Sequence, residues 1–168
     1  MSRYQKLLRK SKQRKAVIGI IGLGYVGLPL AIEFAKKFVT YGIDVNTKKV
    51  EKFQKGISDI PDVPSSILKK LVVKKKLIPT SNYDVLNHTD VIIICVPTPL
   101  RKSKDPDITY ILSAIEEIST RNYLGKLIIL ESTTYPGTTL EVLLPTFSKN
   151  KYKPGKDFFL AFSPERVD

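Results

Sequence analysis

The stretch Ala16-Val17-Ile18-Gly19-Ile20-Ile21-Gly22-Leu23-Gly24-Tyr25-Val26-Gly27 decides how the chain reads. It passes from an apolar, β-branched run into a G-x-G-x-x-G and then into the helix-like segment Val26–Phe38. Each glycine has a physical reason. The first, Gly22, permits a tight strand-to-helix turn. The second, Gly24, lets backbone approach a pyrophosphate with no Cβ in the way. The third, Gly27, lets the helix pack closely on the strand. The helix start then offers free N–H groups and a positive dipole end to phosphates. Alone the pattern is weak, but here it follows a strand and opens a helix as the mechanism requires. Asp44 lies 22 residues after Gly22, at the end of the second apolar run. A carboxylate there accepts hydrogen bonds from ribose hydroxyls and repels a 2′-phosphate, which favours NAD over NADP. Lys49 follows on the next helix. It either reaches the ribose or phosphate, or it is a solvated lysine beside Lys48.

Outward from this turn the chain alternates. Strands are expected at Ala16–Ile21, Val39–Ile43, Leu77–Pro79, Val91–Val96, Lys126–Glu131 and Phe158–Phe162. Helices are expected at Val26–Phe38, Thr47–Lys55, Ser65–Lys75, Ile108–Thr120 and Thr138–Phe147. Continuous apolar strands such as Val91-Ile92-Ile93-Ile94-Cys95-Val96 imply burial on both faces. The fold class is therefore α/β, a Rossmann-type doubly wound, mainly parallel six-stranded sheet with helices on both faces. Thr138-x-x-Glu141 reads as a capping box, and Asp105-Pro106 places a cap before a proline. Ser148–Lys156 reads as a basic surface loop.

The length, 168 residues, suits one domain, and 42% hydrophobic content can fill its core. One cysteine excludes an intramolecular disulfide and a cysteine-based zinc site, and no metal is expected. The net charge of +12 comes from 28 bases and 16 acids. Seven of those bases are Arg3, Lys6, Arg9, Lys10, Lys12, Arg14 and Lys15, with no acid before Glu33, so residues 1–15 carry +7. These read as a basic N-terminal extension, a solvated tail or short helix, ahead of a domain spanning 16–168. The uncharged run Ala16–Ile32 imitates a secretory signal, but five helix-disfavouring residues (Gly19, Gly22, Gly24, Gly27 and Pro29) interrupt it and Glu33, Lys36 and Lys37 follow. A cytoplasmic protein with no membrane partner is expected.

In an open α/β sheet, ligands bind beyond the carboxyl ends of the strands. Three loops there are rich in hydroxyls, prolines or charge: Val96-Pro97-Thr98-Pro99, Glu131-Ser132-Thr133-Thr134-Tyr135-Pro136-Gly137 and Ser163-Pro164-Glu165-Arg166. Each hydroxyl can be a cap or turn former. Three such loops beside a nucleotide turn point instead to a site.

Together these runs resemble the N-terminal domain of the UDP-glucose/GDP-mannose dehydrogenase family. The resemblance covers about residues 16–168, and the terminal Ser163-Pro164-Glu165-Arg166-Val167-Asp168 carries part of it. It is most similar to bacterial UDP-N-acetylglucosamine 6-dehydrogenases of polysaccharide synthesis, with UDP-N-acetylmannosamine dehydrogenases close by. The resemblance implies oxidation of the C6 hydroxyl of a UDP-sugar to a carboxylate with two NAD, through a cysteine thiohemiacetal and thioester. It assigns Gly22, Gly24, Tyr25, Val26 and Gly27 to the pyrophosphate, and Asp44 and Lys49 to the adenosine ribose. It sets Val96, Pro97 and Thr98 along the cofactor, and Ser132 and Thr133 near the nicotinamide. Thr133 would orient a catalytic water or hydroxyl. Glu165 would serve acid–base chemistry or thioester hydrolysis, and Glu165, Arg166 and Val167 would contact the nucleotide sugar.

The family's catalytic cysteine lies in a later domain, and Cys95 sits in an apolar strand. The chain is therefore expected to read as a truncated portion with no turnover alone, while full-length members form homo-oligomers. His88 is expected on a loop or surface. The competing class is a non-catalytic NAD-binding module whose basic tail binds nucleic acid or an acidic surface. An isolated basic terminus is more often solvated, so nucleic acid is not the expected partner.

Overall fold

Among the described residues, six strands form one sheet in the order β3-β2-β1-β4-β5-β6, and every neighbouring pair is parallel. The strands are β1 (Val17–Ile21), β2 (Val39–Ile43), β3 (Leu77–Thr80), β4 (Val91–Ile94), β5 (Leu127–Leu130) and β6 (Phe159–Phe162). The helices are α1 (Arg3–Lys12), α2 (Gly27–Ala35), α3 (Thr47–Gln54), α4 (Ser65–Val73), α5 (Thr109–Ser119) and α6 (Leu144–Ser148). A 3₁₀ helix (Tyr83–His88) follows β3, and a π-helical turn (Thr139–Leu143) leads into α6. The computed structural model describes residues 1–102, 106–149 and 151–164.

Alternation along the strands builds the two cores. Ile18, Ile20, Val91 and Ile93 face α2 and α4 in one cluster. Ile21, Ile92, Ile94, Ile128 and Leu130 face α5, the π turn and Phe147 in the other. Each fully buried isoleucine or leucine contributes about 1.5–3 kcal/mol relative to exposure. Both faces of β4 are buried, which explains its unbroken apolar sequence. The sheet is thus doubly wound, and the strand order reverses between β1 and β4. That switch opens a crevice beyond the strands' carboxyl ends.

Several boundaries differ from the sequence reading for local reasons. β4 stops at Ile94: the Cys95 N–H still donates to the Ile21 carbonyl (2.8 Å), but Pro97 and Pro99 then supply no ladder donors. Cys95 is buried, and His88 is exposed at the end of the 3₁₀ helix. The continuous helix expected over Thr138–Phe147 is instead a π turn followed by α6, where Pro145 can give no N–H to the turn before it.

The basic N-terminus is a short helix packed on the sheet. Ser2 and Gln5 cap it reciprocally: the Ser2 hydroxyl accepts from the Gln5 N–H, and the Gln5 side chain accepts from the Ser2 N–H. Arg3 pairs with Asp157 and Lys10 with Asp90, each at 2.6 Å. Asp90 also accepts from the Val17 N–H at 2.9 Å. Tyr4 lies edge-on to Phe159, and Leu7 packs against the core. Asp90 and Asp157 precede β4 and β6, so α1 sits at the amino ends of the strands, opposite the crevice.

Candidate cofactor-binding site

Two of the three glycines in the turn are demanded by the protein itself. Gly22 has φ +92°, and a Cβ there would lie 2.6 Å from the Cys95 carbonyl oxygen. A Cβ on Gly27 would lie 1.7 Å from the Gly22 carbonyl oxygen. Gly24 is different: nothing stands within 4 Å of where its Cβ would be. No neighbour among the described residues requires glycine at this position. The bare backbone faces the crevice, and a Cβ would fill the space through which a phosphate approaches. That cradle fits a dinucleotide. Among the described residues no side chain caps the N-terminus of α2, so its dipole end is left to the same space.

Asp44 stands one residue past β2 and is 9% exposed. One carboxylate oxygen accepts from the Leu23 N–H and the other from the Asn46 N–H, both at 2.9 Å. Asp44 thereby ties the end of β2 to the glycine turn. Each oxygen keeps lone-pair capacity for a hydroxyl. Lys49 is not a solvated lysine. Its Nζ lies 3.5 Å from Asp44 Oδ2 and donates to the Leu23 carbonyl at 3.4 Å. The Asn46 side chain, which caps α3 by accepting from the Lys49 N–H, sets this geometry.

The crevice is a cavity of about 620 Å³, a size suited to a small ligand or part of a larger one. Gly22, Gly24, Tyr25, Val26, Asp44 and Lys49 line it on the β1–β2 side, and Val96, Pro97, Thr98, Ser132 and Thr133 on the β4–β5 side. Gly27 stands behind the turn, buried. The two loops are joined by Ser132, whose buried hydroxyl donates to the Val96 carbonyl at 2.7 Å. Ser132 therefore shapes the wall, while Thr133 is exposed to the cavity. Glu165, Arg166 and Val167, named above as substrate contacts, lie outside the described residues.

Two expected caps resolve differently. The Thr138–Glu141 capping box does not form. The Thr138 hydroxyl donates to the Tyr135 carbonyl (2.9 Å) and so accepts from Thr134 (2.8 Å), which stabilises the loop rather than the helix. Asp105 lies outside the described residues; the start of α5 is served by Asp107, which accepts from the Thr109 N–H (3.0 Å) and hydroxyl (2.6 Å). The Thr109 hydroxyl, then its N–H, then Arg101 hold the Asp107 carboxyl down to about 2. A depressed carboxylate stabilises the fold above its unfolded pKa. This contribution is expected to fade as pH falls from about 4 through about 2, and Thr109→Ala should move the Asp107 titration, followed by NMR, upward.

The sequence reading missed part of the wall. Val45, Asn46, Tyr83, Tyr110, Ser113 and Ala114 also line the cavity. Tyr83 follows β3, another strand carboxyl end. That position was the available signal, although Tyr83 carries no motif.

With this geometry in place, the sequence pattern described as the UDP-glucose/GDP-mannose dehydrogenase family, NAD binding domain, matches residues 16–168. The chain belongs to this family. NAD is the cofactor of the domain, consistent with the bare Gly24 and the carboxylate at Asp44. The chain is 38% identical over 152 residues to a UDP-N-acetyl-D-glucosamine 6-dehydrogenase of Pseudomonas aeruginosa, covering 90% of this chain and 35% of that protein. It is 37% identical over 153 residues to a UDP-N-acetyl-D-mannosamine dehydrogenase of Pyrococcus horikoshii, covering 89% and 36%. The crystal structure of NDP-N-acetyl-D-galactosaminuronic acid dehydrogenase from Methanosarcina mazei superposes with a TM-score of 0.86 at 31% identity, over 100% of this chain and 38% of that one. The chain thus spans little more than a third of these proteins. Among the described residues, no helix is long and apolar enough to cross a membrane.

Proposed function

We propose that this chain is the NAD-binding portion of a nucleotide-sugar 6-dehydrogenase that oxidises the C6 hydroxyl of a UDP-sugar, UDP-N-acetylglucosamine, to a carboxylate. The observation that carries the reading is the bare Gly24 beside Asp44, opposite the hydroxyl-rich β4 and β5 loops in one cavity. The similarity to a UDP-N-acetyl-D-glucosamine 6-dehydrogenase supports the sugar. NAD supplies the hydride acceptor. The glycine turn and α2 hold the pyrophosphate, Asp44 and Lys49 the adenosine ribose, and Val96, Pro97 and Thr98 the cofactor's flank. Ser132 keeps that flank in place, and Thr133 orients the reacting hydroxyl or a water. Glu165 acts in acid–base chemistry, with Arg166 and Val167 on the nucleotide sugar. Residues 1–15 form an extension to the 16–168 domain, the protein works in the cytoplasm, and the full-length enzyme is a homo-oligomer.

Cys95 is 7% exposed, with its Cβ packed behind Gly27, and does not serve as the thiolate nucleophile. With no thiolate to capture the aldehyde, the chain alone is expected to form no carboxylate and to sustain no NADH production from UDP-N-acetylglucosamine. Steady NADH accumulation by the purified chain contradicts this. Asp44→Ser is expected to shift the NAD-to-NADP affinity ratio toward NADP by about tenfold, because Lys49 loses its counter-ion and faces a 2′-phosphate. Calorimetric titration with both cofactors measures the ratio.

A further inference from the structure

The cavity wall beyond Asp44 is held by a residue that does not line it. Arg121, just after α5, has a side chain only 19% exposed, and every guanidinium nitrogen is engaged. Nε and Nη2 donate to Asp84 Oδ1 at 3.2 and 3.0 Å. Nη1 donates to the Glu117 carboxylate and carbonyl, both at 2.7 Å, and to the Thr120 hydroxyl at 3.1 Å. Held this way, the guanidinium lies over the Tyr83 ring, 5.7 Å from its centroid. The connection from α5 to β5 grips the other end of the same 3₁₀ helix. The Asn122 N–H donates to the Asn87 side chain at 3.1 Å, and buried Lys126 donates to the carbonyls of Asn87 and Thr89.

Tyr83 faces the cavity together with Asp44, Val45, Tyr110 and Ala114. The Tyr83 hydroxyl is pushed above its usual 10, by burial first and then by Glu117 and Asp44, against the opposing effect of Arg121. A dinucleotide with its pyrophosphate at Gly24 and a ribose at Asp44 directs the attached base to this end. The base meets an apolar and aromatic wall, against which a flat ring packs edge-on or offset.

We propose that Arg121 is a positioning residue for the adenine end of the cofactor: clamped by Asp84 and Glu117, it fixes the Tyr83 ring as the surface on which adenine rests. This rests on the NAD reading above and adds a specific contact to it. A guanidinium locked by three partners holds the ring in one orientation, and an ordered aromatic wall loses less freedom when the base docks.

The test is titration of the full chain with AMP, NAD and nicotinamide mononucleotide. Arg121→Ala is expected to weaken AMP and NAD by about tenfold and leave the mononucleotide unaffected. Tyr83→Leu should lose as much, the double variant no more, and Tyr83→Phe, which keeps the ring, should retain most of the affinity. Circular dichroism checks folding; if Arg121→Ala does not fold, Tyr83→Leu against Tyr83→Phe decides. Unchanged AMP affinity in the folded variants, or a parallel loss for the mononucleotide, overturns the proposal alone. A wild-type chain that binds neither AMP nor NAD overturns the cofactor site itself, and the proposal with it.

Discussion

Gly27→Ala is expected to destabilise the chain by about 4 kcal/mol or more. The new methyl would lie 1.7 Å from the Gly22 carbonyl oxygen and 3.2 Å from the Cys95 Cβ. Neither neighbour can yield cheaply. Gly22 is itself pinned at φ +92°, its N–H donating to the Ile43 carbonyl at 2.8 Å. Relief requires α2 to lift off β1, which opens the core around Leu28 and Ala31, both 0% exposed. Urea denaturation should show a lower midpoint with an unchanged slope. A loss below about 1 kcal/mol would mean that the helix does not pack on the strand as closely as described.

Gly24→Val should do the opposite. With nothing within 4 Å of the added Cβ, the fold tolerates the substitution and the melting temperature stays close to the parent's. NAD affinity is expected to fall about 100-fold, because the side chain occupies the space of the pyrophosphate and turns the N–H cradle away from it. The contrast between the two variants is the informative result. That outcome would show one glycine serving the fold and the other the ligand, the division that the mechanism of the motif assigns them. A Gly24→Val chain that keeps parental NAD affinity would remove the pyrophosphate from this turn.

The strands were legible because their burial is written in composition. Val91 to Ile94 is apolar on both faces, and the structure buries all four residues. The glycine turn and Asp44 were legible because their spacing has a mechanism. Other features depend on partners distant in sequence. The Thr138 hydroxyl chooses the Tyr135 carbonyl over a helix cap, and no local pattern distinguishes these choices. Tyr83 reaches the cavity from the 3₁₀ helix after β3 without any motif, and its ring contact, Arg121, lies 38 residues on. Spacing alone leaves Lys49 open between a ribose contact and a solvated lysine beside Lys48, and the fold brings it within 3.5 Å of Asp44. Ser2-x-x-Gln5 was a readable capping box at the start of α1, hidden by the charge that dominates the tail.

The central claim is that the crevice beyond β1 and β4 holds NAD with its ribose at Asp44. Calorimetric titration of the purified chain with NAD and with NADP tests it most directly. The expected result is saturable binding of one NAD per chain, with NADP weaker by about tenfold or more, the 2′-phosphate being repelled by the Asp44 carboxylate. Absence of NAD binding, or tighter binding of NADP, would contradict the account.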